Sequence, residues 1–239
     1  DKAFYGWSSL TDLTFGKGLT SIGASAFRGC MSLEVLTLPE GLENVGNEAF
    51  YGCTALTSLR IPTGVKTLGN RIFDGCTSLK SLNLSGGGVL DADTFKGFAP
   101  DNLMIGKGVS SIGEQTFMGK KIRLVVFEEG VTVIGSEAFE GCSIESVSLP
   151  ATLKELGSGA FENCSALKRA VFSGKELKIL PERCFAGCLK LSEVVLPLGV
   201  EEICEDAFYQ CVPEQVTLPD SVKLIKTGAF RYCELKRID

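Results

Sequence analysis

The 239-residue chain has no histidine, one tryptophan, four tyrosines and three methionines. Without histidine there is no near-neutral imidazole base, no Ser-His-Asp or Cys-His nucleophile, and none of the zinc sets that use His. No stretch approaches the roughly 20 consecutive apolar residues that a spanning helix needs, so no membrane insertion is expected in this segment. Neither charge dominates: 24 basic and 29 acidic residues are interspersed, for a net charge of −5. With no basic run, there is no electrostatic reason to expect nucleic acid or an anionic membrane as partner. The chain opens on Asp1-Lys2-Ala3-Phe4, already inside a repeating pattern, and reads as a fragment of a longer protein. The lack of a leader therefore says nothing about compartment.

What the chain has in quantity is one repeated unit. Phe4, Phe27, Phe50, Phe73, Phe95, Phe117, Phe139, Phe161, Phe185, Phe208 and Phe230 recur every 22 to 24 residues, giving about eleven copies. Five residues before the Phe, from the second copy on, stands an aliphatic residue (Ile22, Val45, Leu68 and so on), usually followed by glycine. Three residues after it stands cysteine in eight copies: Cys30, Cys53, Cys76, Cys142, Cys164, Cys188, Cys211 and Cys233. Trp7, Phe98 and Lys120 hold that position in the others.

Between the cysteine and the next aliphatic-Gly pair runs a short alternating segment, such as Leu56-Thr57-Ser58-Leu59-Arg60-Ile61-Pro62. Period-two alternation predicts a strand with one face buried. Proline then ends it, because it lacks the donor a continuing ladder needs, and a tight turn follows. The Gly-x-x-Ala-Phe-x-Gly-Cys segment is too short for a stable helix and predicts an irregular or 3₁₀ turn on the opposite side. One unit has no core of its own, so stability must come from stacking on neighbours. The fold expected is a right-handed β-solenoid with a parallel sheet on one face and short turns on the other, residues 1–239 forming a single domain.

Units reading Leu-Pro-x-Gly-Val-x-x-Ile-Gly-x-x-Ala-Phe-x-Gly-Cys-x-x-Leu, fullest from Leu38 to Leu56 and from Phe127 to Cys142, resemble the BspA-like, or Treponema-type, leucine-rich repeat family. The resemblance implies a leucine-rich-repeat solenoid from a cell-surface or secreted protein of bacteria or parasitic protists. Such proteins often act as adhesins for host matrix proteins, host cells or other microbes. It supplies no catalytic residue. The sequence departs from the pattern at Lys120, at the Ser85-Gly86-Gly87-Gly88 stretch, and where Pro181, Cys204 and Lys226 replace the usual glycine.

Eight of the ten cysteines lie in register, one per repeat, where cysteine acts as a small hydrophobe filling a core. Neighbouring rungs could still be bridged, and Cys184 and Cys188 could be brought together by a helical-type turn. Cys204, in a glycine position, is the thiol expected to react if exposed. The acidic pairs Glu128/Glu129 and Glu201/Glu202 read as solvated charge, and Asp91 with Asp93 is too little for calcium. Gly86-Gly87-Gly88 lacks the Lys-Ser/Thr that follows a phosphate loop. No catalytic residue, metal or cofactor is therefore expected.

The informative surface is the outward sheet face. The candidate contact residues are Arg60, Asn83, Met104, Leu124, Val126, Arg169, Val171 and Val195. Met104, Leu124 and Val126 form its apolar cluster, since exposed apolar clusters commonly mark contact sites; aliphatic residues also simply suit strands. The expected function is a non-enzymatic module binding a host matrix or cell-surface protein, as a monomer or in weak end-to-end association. A structural spacer with no ligand of its own is the alternative.

Overall fold

The computed structural model describes residues 1–238. The chain forms two compact units, Asp1–Ser110 and Ser111–Asp239. Strands and turns make up both, and no helix forms among the described residues.

In the first unit the alternating segments Ser58–Ile61, Ser81–Leu84 and Asn102–Ile105 pair in parallel, with Leu59, Leu82 and Leu103 in register. Leu59 and Ile61 point inward and Ser58 and Arg60 outward, as a period of two requires. The same ladder recurs in the second unit as Ser146–Leu149, Arg169–Phe172 and Glu193–Val195.

A second parallel ladder stands where a bare turn is expected from the sequence. Ser21–Ile22, Asn44–Val45 and Thr67–Leu68 pair in the first unit, and Ile179–Leu180, Glu202–Ile203 and Leu224–Ile225 in the second. In several repeats the residue after the aliphatic position donates its N–H back one repeat, as Gly46 does to the Ile22 carbonyl at 2.8 Å and Gly157 to the Ile134 carbonyl at 2.7 Å. At Gly46 and Gly157 the missing side chain leaves room for the preceding repeat's backbone. A Cβ at Gly46 would lie 2.6 Å from the Ala24 nitrogen, and one at Gly157 would lie 2.2 Å from the Ser136 nitrogen.

The turn around each phenylalanine is more regular than the sequence suggests. Ser25 (φ 53°) and Gly29 (φ 76°) are left-handed on either side of Phe27, and Glu48 and Gly52 repeat this around Phe50. The alternation points every second N–H along the stack. Ser25, Phe27 and Gly29 donate to the carbonyls of Asn47, Ala49 and Tyr51, each at 2.8 Å. Left-handed φ at Ser25 and Glu48 costs of order 1 kcal/mol each, which the cross-repeat bonds offset.

Three hydrogen-bonded walls thus enclose one core per unit. Phe4, Phe27, Phe50 and Phe73 stack with centroids 5.1 to 6.2 Å apart and planes within 14°. Phe139, Phe161, Phe185, Phe208 and Phe230 do the same at 5.2 to 5.6 Å and within 8°. Near-parallel rings at that separation are offset, the arrangement ring quadrupoles favour.

Candidate binding surface

In the first unit, Arg60, Asn83 and Met104 lie in one row of the long ladder, fixed by parallel register. Their polar groups are engaged within the surface. The Arg60 guanidinium pairs with Glu40. The Asn83 amide donates to the Met104 thioether at 3.1 Å, and its oxygen accepts from the Ser85 hydroxyl at 2.7 Å. Asn83 is half-buried as a result. Val35, bridged to Ser58 at the edge of this ladder, is 61% exposed and more open than Met104 at 37%.

In the second unit, Leu124 and Val126 project from Leu124–Phe127. The next repeat contributes Ser146 and Ser148, then come Arg169 with Val171 and Glu193 with Val195, in register. The structure makes Val171 and Val195 lateral neighbours and sets a serine pair between them and the repeat that carries Leu124 and Val126. Val171 is half-buried; Leu124, Val126 and Val195 are 46%, 40% and 43% exposed. Arg169 is tied to Glu193 at 2.8 Å. Along one edge Glu145 sits between Lys168 at 3.1 Å and Arg123 at 3.6 Å. The hydrogen bond from Lys168, then its charge, hold the Glu145 carboxyl below its ordinary pKa. The second-unit face thus carries two apolar patches divided by serines and flanked by mutually neutralised charge.

The cysteines are unbridged, and all but Cys204 and Cys233 are buried. Cys188 donates to the Phe161 carbonyl at 3.2 Å and Cys184 to that of Ala207 at 3.8 Å, two different acceptors. Desolvation by burial raises both thiols well above their ordinary pKa. Among the described residues no group of three His, Cys, Asp or Glu is placed to hold a metal ion. Two exposed carboxylates also cap backbone groups: Glu129 accepts the Ala151 and Thr152 N–H groups at 3.1 and 3.0 Å, and Asp91 that of Thr94 at 2.8 Å.

Sequence reasoning missed the polar outer rows of the turn wall. In the first unit the Arg28 and Arg71 guanidinium groups lie 4.2 and 5.5 Å from the Tyr51 ring centre. In the second, Arg231 lies 5.0 Å from the centre of Tyr209 and 5.7 Å from that of Tyr232. The signal was present, since Tyr5, Tyr51 and Tyr209 each directly follow a ladder phenylalanine.

Parallel strands of fixed register, a stacked phenylalanine column and a 22 to 24 residue period define a leucine-rich-repeat solenoid. The chain belongs to the BspA-type leucine-rich repeat family, whose repeat-region model, in six copies, matches residues 1–123 and 110–236. Among solved structures, a leucine-rich repeat protein from Bacteroides ovatus ATCC 8483 is 24% identical over 99% of this chain and 70% of its own, with a TM-score of 0.58. One from Eubacterium ventriosum ATCC 27560 is 21% identical over 98% and 79%, with a TM-score of 0.51. A leucine-rich cell surface protein from Faecalibacterium prausnitzii A2-165 is 27% identical over 99% and 74%, with a TM-score of 0.48. No curated protein matches the chain. No helix of the described residues is long and apolar enough to cross a membrane.

Proposed function

We propose that this segment is a non-enzymatic protein-binding module of a cell-surface or secreted, adhesin-like protein, engaging a host matrix or cell-surface protein through its outward sheet face. Family membership supports the surface location. The observation that supports binding is the pair of apolar patches on the outward face of the second unit, Leu124 with Val126 and Val171 with Val195, separated by Ser146 and Ser148, with Leu124, Val126 and Val195 40 to 46% exposed. Interface cores are depleted in charge, and the charges bordering these patches already pair with each other, Arg169 with Glu193 and Glu145 with Lys168. Covering them therefore strands no unpaired ion. In the first unit Arg60, Asn83 and Met104 form a more polar stretch, suited to the rim of a contact.

The spacer reading draws on the same pairing, because a face whose charges satisfy one another is also an inert one. Binding to immobilised matrix and plasma proteins separates the two. Saturable binding by the native chain, lost in a Leu124→Glu/Val126→Lys variant that keeps its far-UV circular dichroism, is the expected result. Absence of binding by the native chain to every member of the panel overturns the proposal in favour of the spacer.

A further inference from the structure

The glycine that follows each aliphatic strand residue is excluded from carrying a side chain at Gly46, Gly69, Gly135 and Gly157, where a Cβ would lie 2.2 to 2.7 Å from the preceding repeat's backbone. Three consecutive repeats break this rule with Pro181, Cys204 and Lys226. Pro181 has no N–H to donate, and Glu155–Leu156 and Ile179–Leu180 fall in separate sheets; from Ile179–Leu180 onward the ladder continues, the Cys204 N–H donating to Leu180 and the Lys226 N–H to Ile203, each at 2.9 Å. The side chains instead open a surface cleft of about 320 Å³, lined also by Ser158, Glu182 and Glu205.

Within it, Cys204 is half-exposed, as Cys233 also is, and among the described cysteines it alone occupies neither the cysteine column nor the alanine position of Cys184. Its Sγ lies 3.9 Å from the Lys226 Nζ and 3.3 Å from a Glu202 Oε1, and Lys226 pairs with that same carboxylate oxygen at 2.5 Å. A thiol, an amine and a carboxylate thus converge in a cleft open to solvent, on residues from two adjacent repeats held in register by Ile203 and Ile225.

We propose that Cys204 and Lys226 are a covalent modification site, at which dioxygen joins the Cys204 sulfur to the Lys226 nitrogen through one oxygen atom and staples the two repeats together. The S–H bond and two N–H bonds of the ammonium break, while an S–O and an O–N bond form. The thiol hydrogen and one amine hydrogen leave with the second oxygen atom as water. The remaining proton passes to Glu202, already bonded to Lys226. The thiol and amine together lose four electrons, the number one dioxygen accepts. In the reduced state Glu202 keeps the two reacting atoms at one place: it accepts from the thiol and holds the amine by charge. The bridge is a redox-dependent lock on one point of the stack, independent of the sheet-face ligand.

The test is mass spectrometry of the full chain, air-oxidised and then treated with dithiothreitol. The oxidised chain is expected to gain roughly 14 Da, one oxygen added and two hydrogens lost, where a sulfinic acid gains roughly 32 Da. Trypsin should fail to cut after Lys226, and the peptide holding Cys204 should be recovered joined to the one holding Lys226. Reductant should restore the native mass. Lys226→Arg, which keeps the charge opposite Glu202, should lose the shift while remaining folded, and so should Cys204→Gly, which restores the family residue. Oxidation confined to the sulfinic level, a bridge from Cys204 to another cysteine, or an unchanged mass shift in Lys226→Arg would each overturn the proposal.

Discussion

The Cys53 thiol donates a hydrogen bond to the carbonyl of Phe27, one repeat back, at 3.2 Å. All eight column cysteines do the same, from Cys30 with Phe4 to Cys233 with Phe208. The Phe27 carbonyl also accepts the Cys30 N–H at 3.1 Å, so the thiol fills its second lone pair. The column therefore calls for a residue that is small and apolar yet still a donor. Cys53→Ala is expected to cost about 1 to 2 kcal/mol from the cavity and the lost weak bond. Cys53→Ser, which keeps a donor in nearly the same volume, should cost less. Urea unfolding of the two variants checks this, and equal losses would mean that the thiol contributes by volume alone.

Burial pushes the Cys76 and Cys142 thiols up to about 12, desolvation being the largest cause. Neutral, enclosed thiols do not alkylate. At pH 8 in native buffer, iodoacetamide should modify Cys204 first and leave Cys76 and Cys142 intact until denaturant is added, as peptide mapping would show. The sign of the linkage is also set. A thiol whose folded pKa is raised contributes stability that is fully present below its ordinary 9.0 and is lost as pH rises toward the raised value. Thermal midpoints should therefore fall between pH 9 and pH 11, beyond the loss expected from lysine deprotonation alone in a Cys76→Ala control.

Cross-repeat ion pairs give the opposite dependence in acid. Hydrogen bonds from Lys168, Lys223 and Lys226 lower the carboxyls of Glu145, Glu201 and Glu202 respectively. A carboxylate with a depressed folded pKa contributes stability above the ordinary 4.5, lost as pH falls through the lower value. The midpoint should drop as pH is taken from 6 to 3, and the drop should shrink in Glu145→Gln. At high salt the native chain should approach the variant, because these exposed pairs are screened. A Glu145→Gln profile parallel to the native one would remove the pair from the account.

Two glycines one turn apart in role should respond very differently to alanine. At Gly52 (φ 70°) the nearest atom to an added Cβ is the Gly29 nitrogen at 3.9 Å, so Gly52→Ala meets only the left-handed backbone cost of about 1 kcal/mol. At Gly157 the Cβ would meet the Ser136 nitrogen at 2.2 Å, so backbone there must shift to admit it. Gly157→Ala should lower the midpoint far more, or prevent folding, and comparable midpoints would contradict the steric reading.

Much of this was legible from spacing. The phenylalanine, aliphatic and cysteine columns were readable because burial at a fixed period is a one-dimensional property, and each repeat needs the same residue at the same depth. The outward positions of Arg60, Met104, Leu124, Val126 and Arg169 followed from strand alternation. The second strand ladder was not legible, since two-residue strands such as Asn44–Val45 are too short to show a period. Nor was the ordered turn wall, because Ser25, Glu48 and Arg71 adopt left-handed φ without being glycine and are held there by bonds to the next repeat.

The sequence by itself determined that this chain stacks, which residues fill its interior and which face water, because hydrophobic burial repeated every 22 to 24 residues admits one kind of solution. Only the tertiary structure decided what those residues do to one another: that the cysteine column caps the phenylalanine carbonyls, that Arg60 and Arg169 are neutralised by Glu40 and Glu193, and that Cys204 meets Lys226. These pairings join residues 20 to 27 positions apart. They depend on register and side-chain reach across the stack, which no spacing along a single repeat encodes.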